Sequence, residues 1–256
     1  MTNKSTKRRN AVVAAIAGAA LLLGGSTYAL WSANAGMEGG KIISGDLNIT
    51  AGPSNAWDIS TNLSGELRTD EDQAVATKDG IELDGLQGHA IDSLEDWPMV
   101  PGDTVALTFP YTIVLDGDNM VAQLAIGVDS DADLGDLTAT IEETDDPYIT
   151  MTYEVFDKDG ASLGITGTID ASTTSTPVSY FQAPNITPGT EDGDIPVVTG
   201  GSEDYVLVVY VNFNKDTPKR EMAGAQTLVD ISNKLTATLT QVRCTGDVDS
   251  NFPTCS

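Results

Sequence analysis

Beyond about residue 40 the chain shows almost no apolar recurrence at helical spacing. Short runs of alternating or β-branched residues are broken instead by Gly, Pro, Asn and Asp, which is the pattern of an all-β protein. The runs predict strands over residues 42–50, 57–60, 104–115, 121–128, 137–142, 149–156, 162–169, 205–212 and 234–242. In the strongest of them Val206, Val208 and Tyr210 alternate with Leu207, Val209, Val211 and Phe213, so neither face is polar and a central strand buried on both sides is expected. Asp157-Lys158-Asp159-Gly160 lies between two runs and predicts a hairpin, because Asp-Gly readily adopts positive φ. Asp116-Gly117-Asp118-Asn119 predicts a similar hairpin between the 104–115 and 121–128 strands. Pro101-Gly102-Asp103 reads as a tight turn that starts the strand at Thr104. One stretch, 218–228, places good helix formers behind Pro218 and predicts a short connecting helix. Two others, the acidic 65–96 and the Ser/Thr/Pro/Gly-rich 171–202, read as long loops or edge insertions. The sum is an antiparallel, jelly-roll-like β-sandwich with long loops and one short helix.

The N-terminus follows a different plan. Lys4, Lys7, Arg8 and Arg9 precede an apolar run over 11–25 that ends in Gly-Gly, the charged-then-apolar order of a secretory signal. That run is short of the roughly 20 residues a membrane span needs. Extension through Leu30 and Trp31 reaches the length, which keeps an uncleaved anchor as the alternative. Small residues at Thr27 and Ala29 place cleavage after Ala29 or Leu30, and Ala33-Asn34-Ala35 also fits the small-x-small pattern. The expected organisation is a signal peptide over 1–29, a flexible N-terminal segment over 30–41 and a single sandwich domain over 42–256. The expected location is outside the cell or on its surface, with no membrane contact after cleavage. Cys244 and Cys255 both lie near the C-terminus, and in an exported protein they predict a disulfide that ties down the tail after the last strand. A loop of that size would contribute about 2–3 kcal/mol. A redox or metal pair is the alternative, although the spacing fits neither CxxC nor a zinc pattern.

Charge removes several function classes. With 38 acidic groups against 13 basic ones and a formal net charge of -25, the chain lacks the Lys/Arg surface that nucleic acid requires. Its one basic cluster lies in the leader. A single histidine, His89, cannot form an HExxH zinc site. His89 falls in a Gly-rich stretch read as a loop, so no catalytic role is assigned to it. Carboxylates are so numerous that finding a pair of them says nothing about glycoside hydrolysis. No enzyme is expected, and no cofactor is required. Calcium is the one candidate ligand: Asp129, Asp131, Asp133 and Asp136 alternate as oxygen ligands of a calcium loop do. An EF-hand would need Gly and Glu where this chain has Leu134 and Thr140. Further acidic groups gather at Glu142, Glu143, Asp145 and Asp146 and at Asp247, Asp249 and Asn251. The alternative for all three clusters is a solvated anionic face.

Three features together carry a family resemblance. The leader ends in Gly24-Gly25-Ser26-Thr27-Tyr28-Ala29-Leu30-Trp31-Ser32 and is soon followed by Ser44-Gly45-Asp46-Leu47-Asn48-Ile49. Met99-Val100-Pro101-Gly102-Asp103-Thr104-Val105 leads into a strand, with Gly117-Asp118-Asn119 and Leu124 downstream. The remainder reads as strands. In these respects the chain resembles the alternate-type signal peptide proteins of Gram-positive bacteria, the TasA/camelysin group, over residues 8–50 and 97–128. The resemblance implies processing by a SipW-type signal peptidase and a secreted jelly-roll sandwich that builds cell-surface or biofilm-matrix fibres. It further implies a head-to-tail partner, either another copy of the chain or a related matrix subunit, joined by donation of an N-terminal strand. Trp31, Met37, Ile42 and Ile43 are the residues to which the resemblance gives this assembly role. Some relatives are described as metallopeptidases, and this chain lacks the ligands to carry that over. An open sheet edge exposes N–H and C=O groups that a neighbour's strand can satisfy, and a contact of this kind does not close on itself. The plainer alternative makes 42–50 the first strand of the chain's own sandwich. The two agree if only residues before Lys41 are donated. A rival function is a monomeric cell-surface binding module holding carbohydrate, protein or calcium on its long loops.

Overall fold

The computed structural model describes residues 32–36, 41–44, 47–61, 73–116, 120–129, 140–141, 145–170, 175–183, 196–216 and 231–242, the first two stretches as backbone only. They lie within the compact unit Trp31–Ser256. The strands are β1 (Ser32–Gly36), β2 (Lys41–Ser44), β3 (Leu47–Ala51), β4 (Asn55–Asp58), β5 (Gln73–Ala76), β6 (Glu82–Ile91), β7 (Thr104–Leu115), β8 (Val121–Val128), β9 (Ile149–Asp157), β10 (Ser162–Ile169), β11 (Thr176–Gln182), β12 (Ser202–Phe213) and β13 (Leu235–Val242). Every pairing between these strands is antiparallel. They form a four-stranded sheet, β1-β13-β8-β11, and a nine-stranded sheet that runs β10-β9-β12-β7-β4-β6-β5, with β2 and β3 joining it at β7. The protein is an all-β, two-sheet antiparallel sandwich.

β12 is the strand buried on both sides that its apolar run predicts. Tyr205 through Val209 are all buried, with β7 on one flank and β9 on the other. Its residues divide between two cores. Leu207, Val209, Val211 and Phe213 pack inward with Leu107, Phe109 and Ile113 of β7 and with Leu124, Ile126, Leu235 and Leu239 of the smaller sheet. Val206 and Val208 face the other way, into a second core with Trp57, Val75, Leu83, Ala106 and Phe156. That second core exists because the β4–β6–β5 arm folds back over the outer face of the large sheet.

The other flank of β7 is shared by two short strands. β3 pairs with residues 111–115 and β4 with residues 105–108. Between them stands Pro110, whose carbonyl faces this flank and accepts from Gly52 N at 2.7 Å. A proline has no N–H to return, so the ladder breaks there. The close approach also needs glycine: a Cβ on Gly52 would meet Pro110 Cγ at 3.0 Å.

Three tyrosines sit between the sheets. Tyr205 lies directly across from Tyr111, and its ring packs edge-on to Phe181 with centroids 4.8 Å apart. Tyr153 donates its hydroxyl to Pro177 O at 3.2 Å, which ties β9 to β11 where the two sheets meet. Gly167 makes room for that hydroxyl, since a Cβ there would lie 2.6 Å from it.

The observed strands 104–115, 121–128 and 162–169 have the predicted bounds. The 157–160 hairpin is present, with Gly160 at φ +85° and Asp157 Oδ1 accepting from Asp159 N and Ala161 N, each at 2.9 Å. Other expectations are corrected. Residues 42–50 are two strands, β2 and β3, that pair with each other across Gly45 and Asp46. β7 and β8 do not form the predicted hairpin, because β7 is paired on both flanks and β8 lies in the other sheet; residues 117–119 lie outside the described residues. The stretch 65–96 holds β5 and β6 as an edge insertion, and 171–202 holds β11. His89 is therefore on a strand, opposite Asp58. The predicted helix 218–228 lies outside the described residues, as do 137–139 and 142 of the predicted strand 137–142, whose Thr140 bridges to Pro147.

Candidate functional site

The residues assigned to assembly bear on where the N-terminal strands are seated. β1 runs antiparallel along β13, with Ser32 opposite Thr240, Ala33 opposite Leu239, Asn34 opposite Thr238, Ala35 opposite Ala237 and Gly36 opposite Thr236. On its other side β13 pairs with β8 over its whole length. β1 is thus the edge of the smaller sheet, and it covers the backbone groups that β13 would otherwise present. β13 itself alternates cleanly: Leu235, Ala237 and Leu239 are buried in the main core while Thr236, Thr238 and Thr240 are half-buried.

Ile42 and Ile43 belong to β2, where they stand opposite Ile49 and Asn48 of β3. β2 and β3 are therefore part of the chain's own large sheet. Of the described residues before Lys41, Ser32–Gly36 occupy the β13 edge. This placement separates the two halves of the predicted donor: Ser32–Gly36 line one sheet edge, and Lys41–Ser44 are built into the large sheet. Trp31 and Met37 lie outside the described residues, as do Ala29, Leu30, Cys244 and Cys255.

Of the four aspartates proposed for calcium, Asp129 is described and the other three, Asp131, Asp133 and Asp136, lie outside the described residues. Asp129 directly follows β8, and its N–H donates to Lys234 O at 2.9 Å. Asp145 adopts positive φ, +58°, and its N–H returns to Ile141 O at 2.9 Å, closing a turn of the second acidic cluster. Among the described residues no group of three or more His, Cys, Asp and Glu is placed to hold a metal ion. Among them, too, no helix is long and apolar enough to cross a membrane.

The carboxylates that are engaged serve the fold. Asp103 is buried and its Oδ2 accepts from Val100 N at 2.7 Å, which fixes the Pro101-Gly102-Asp103 turn. Glu154 accepts from the Tyr210 hydroxyl at 2.9 Å on the outer face. Burial, and then the Glu154 carboxylate, hold Tyr210 well above the ordinary tyrosine range.

The chain matches no protein-family model. It matches no curated protein. Among solved structures it is similar to the enzymatically active domain of bacteriophage CBA120 tailspike protein 4, at 11% identity and a TM-score of 0.24, over 83% of this chain and 19% of that one. The chain thus spans about a fifth of that protein's length, and the likeness carries no argument about activity.

Proposed function

We propose that the chain is an exported structural subunit of the cell surface or biofilm matrix, joined head to tail by exchange of its N-terminal strand. The observation that carries this reading is the seat of β1 on the β13 edge. β1 is five residues of Ser, Ala, Asn and Gly, with no large apolar side chain to anchor it. A backbone hydrogen bond contributes about 0.5–1.5 kcal/mol net in water, so a strand this short is held weakly. Met37-Glu38-Gly39-Gly40 follows it in sequence and includes two glycines, the residue type that accepts the widest range of backbone directions. The same strand from a second copy would satisfy the same edge, with no gain or loss of pairing. Head-to-tail exchange of this kind propagates into a filament.

The test uses the full secreted chain and a form lacking residues 30–41, followed by light scattering over a range of concentrations with and without calcium. The expected result is concentration-dependent polymer from the full chain and none from the truncated one. A synthetic peptide of residues 31–41 should then bind the truncated chain and slow amide exchange along β13. A full chain that stays monomeric at every concentration, or a truncated chain that polymerises equally well, overturns the reading.

A further inference from the structure

An open groove of about 620 Å³ lies away from the β1 edge, where the β4–β6–β5 arm meets the turn before β13. That volume falls inside the roughly 300–1,000 Å³ range of small-ligand sites. Four segments build it: the start of β4, the turn after β5, the end of β6 with the 3-10 turn Leu94–Asp96, and residues 232–233.

Three of these segments are tied together, β4 to β6 by strand pairing and β4 to the turn after β5 by side-chain hydrogen bonds. With its amide in the orientation that satisfies both ends, Asn55 donates to Ser54 O at 3.2 Å and accepts from Lys78 N at 3.1 Å. Trp57 donates its indole N–H to Ala76 O at 2.9 Å. Gly80, at φ +87°, closes the turn that carries Lys78 by donating to Thr77 O at 2.9 Å. The wall built by β4, β6 and the turn after β5 is therefore preformed, which limits the ordering that binding must impose.

Its polar lining is uncommitted. Lys78, Asp92, Ser93, Glu95, Ser232 and Asn233 make no side-chain hydrogen bond or ion pair among the described residues. Asp103, Glu154 and Ser60 differ in this respect, since each is bonded within the fold. The lining mixes one ammonium, two carboxylates, hydroxyls and an amide, so donors and acceptors alternate around it. Ile91 and Leu94, both half-buried, add apolar surface, and the buried Trp57 backs the groove.

The chemistry of the ligand follows from that mixture. A hydrocarbon would leave the lining groups without partners. An anionic polymer would face Asp92 and Glu95 on a chain whose net charge is already -25. Each hydroxyl of a neutral sugar both donates and accepts, and its C–H face suits the apolar patch. An open groove, unlike a closed pocket, lets linked units continue beyond it. We propose that this groove binds a neutral oligosaccharide, with Asp92, Glu95 and Asn233 taking its hydroxyls and Lys78 closing one side. The site is independent of strand exchange and would be present in monomer and polymer alike.

Calorimetric titration of the full chain with chitotetraose and with cellotetraose tests this, with polygalacturonate as the anionic control. Saturable binding of either neutral sugar is expected, and which one binds separates an N-acetylhexosamine source from a glucan source. Asp92→Asn combined with Asn233→Ala should weaken it at least tenfold while the thermal midpoint stays unchanged, since both side chains are exposed. Lys78→Ala supplies a second variant on a separate turn, with a loss of threefold or more expected. Absence of saturable binding to both sugars overturns the proposal. So does affinity unchanged in all of these variants, or polygalacturonate binding as tightly as the neutral sugars.

Discussion

Gly160 stands so close to Glu82 that a Cβ on the glycine would fall 1.9 Å from the Glu82 carbonyl oxygen. The contact continues through a hydrogen bond from Asp84 N to Gly160 O at 2.9 Å. It locks the start of β6, and with it the whole arm, onto the β9–β10 hairpin. Any side chain at residue 160 would meet both this backbone and a φ of +85°. Gly160→Ala should therefore lower stability by about 3 kcal/mol or more, read as a drop in urea midpoint.

Thr108 predicts the opposite sign. It is wholly buried on β7, and its Oγ1 has no hydrogen-bond partner. Valine keeps the branched shape and removes the stranded hydroxyl. Thr108→Val should be neutral or stabilising by up to about 2 kcal/mol, with the thermal midpoint level or raised. A clear loss of stability would mean the hydroxyl has a partner.

The tyrosines set the alkaline limit. Burial, and then the neighbouring Tyr205 and Tyr153, raise Tyr111 far above its ordinary value of 10.0. Burial raises Tyr205 as well, with Glu203 and Asp157 adding to it. Above the ordinary value the unfolded chain releases these protons while the folded chain keeps them, so stability falls as pH rises. Below it their contribution is fully present. Denaturant midpoints should be flat in this respect up to about pH 10 and decline beyond it. Tyr111→Phe, which also removes a buried hydroxyl without a partner, should soften the decline.

Salt should stabilise the fold. The 38 acidic groups outnumber the 13 basic ones, and their mutual repulsion opposes compaction. Raising sodium chloride from about 0.01 M to 0.15 M shortens the screening length from about 30 Å to 8 Å, and the thermal midpoint should rise. A midpoint that falls would show that attractive pairs dominate.

What was legible in the sequence was the body of the sandwich. β7, β8 and β10 were readable to the residue because one or both faces are apolar at a two-residue period. The arm was not. β6 contains Gly85 and Gly88, and glycine reads as loop; yet a Cβ at Gly88 would sit 2.8 Å from Asp58 O, so this glycine marks a close strand approach. β11 carries Pro177 near its start and shifts register between Pro177 and Ser179, which an edge strand tolerates and a pattern search rejects. β1 has no apolar bulk and is a strand through backbone pairing alone. The groove was invisible for a different reason. Lys78, Asp92 and Asn233 are ordinary surface residues in sequence, and only the folding of the arm brings them together.

The interruption at Pro110 has a longer reach than its local geometry. Loss of pairing between β3 and β7 has no continuous ladder along which to spread to β4, because Pro110 offers no donor and residues 52–54 step around it. The N-terminal hairpin and the arm then belong to separate opening units, each answerable to its own contacts. Selection can act on them separately as well. Chains built on this plan are expected to conserve the register of β2 and β3 while the arm from β4 to β6 varies in length and sequence.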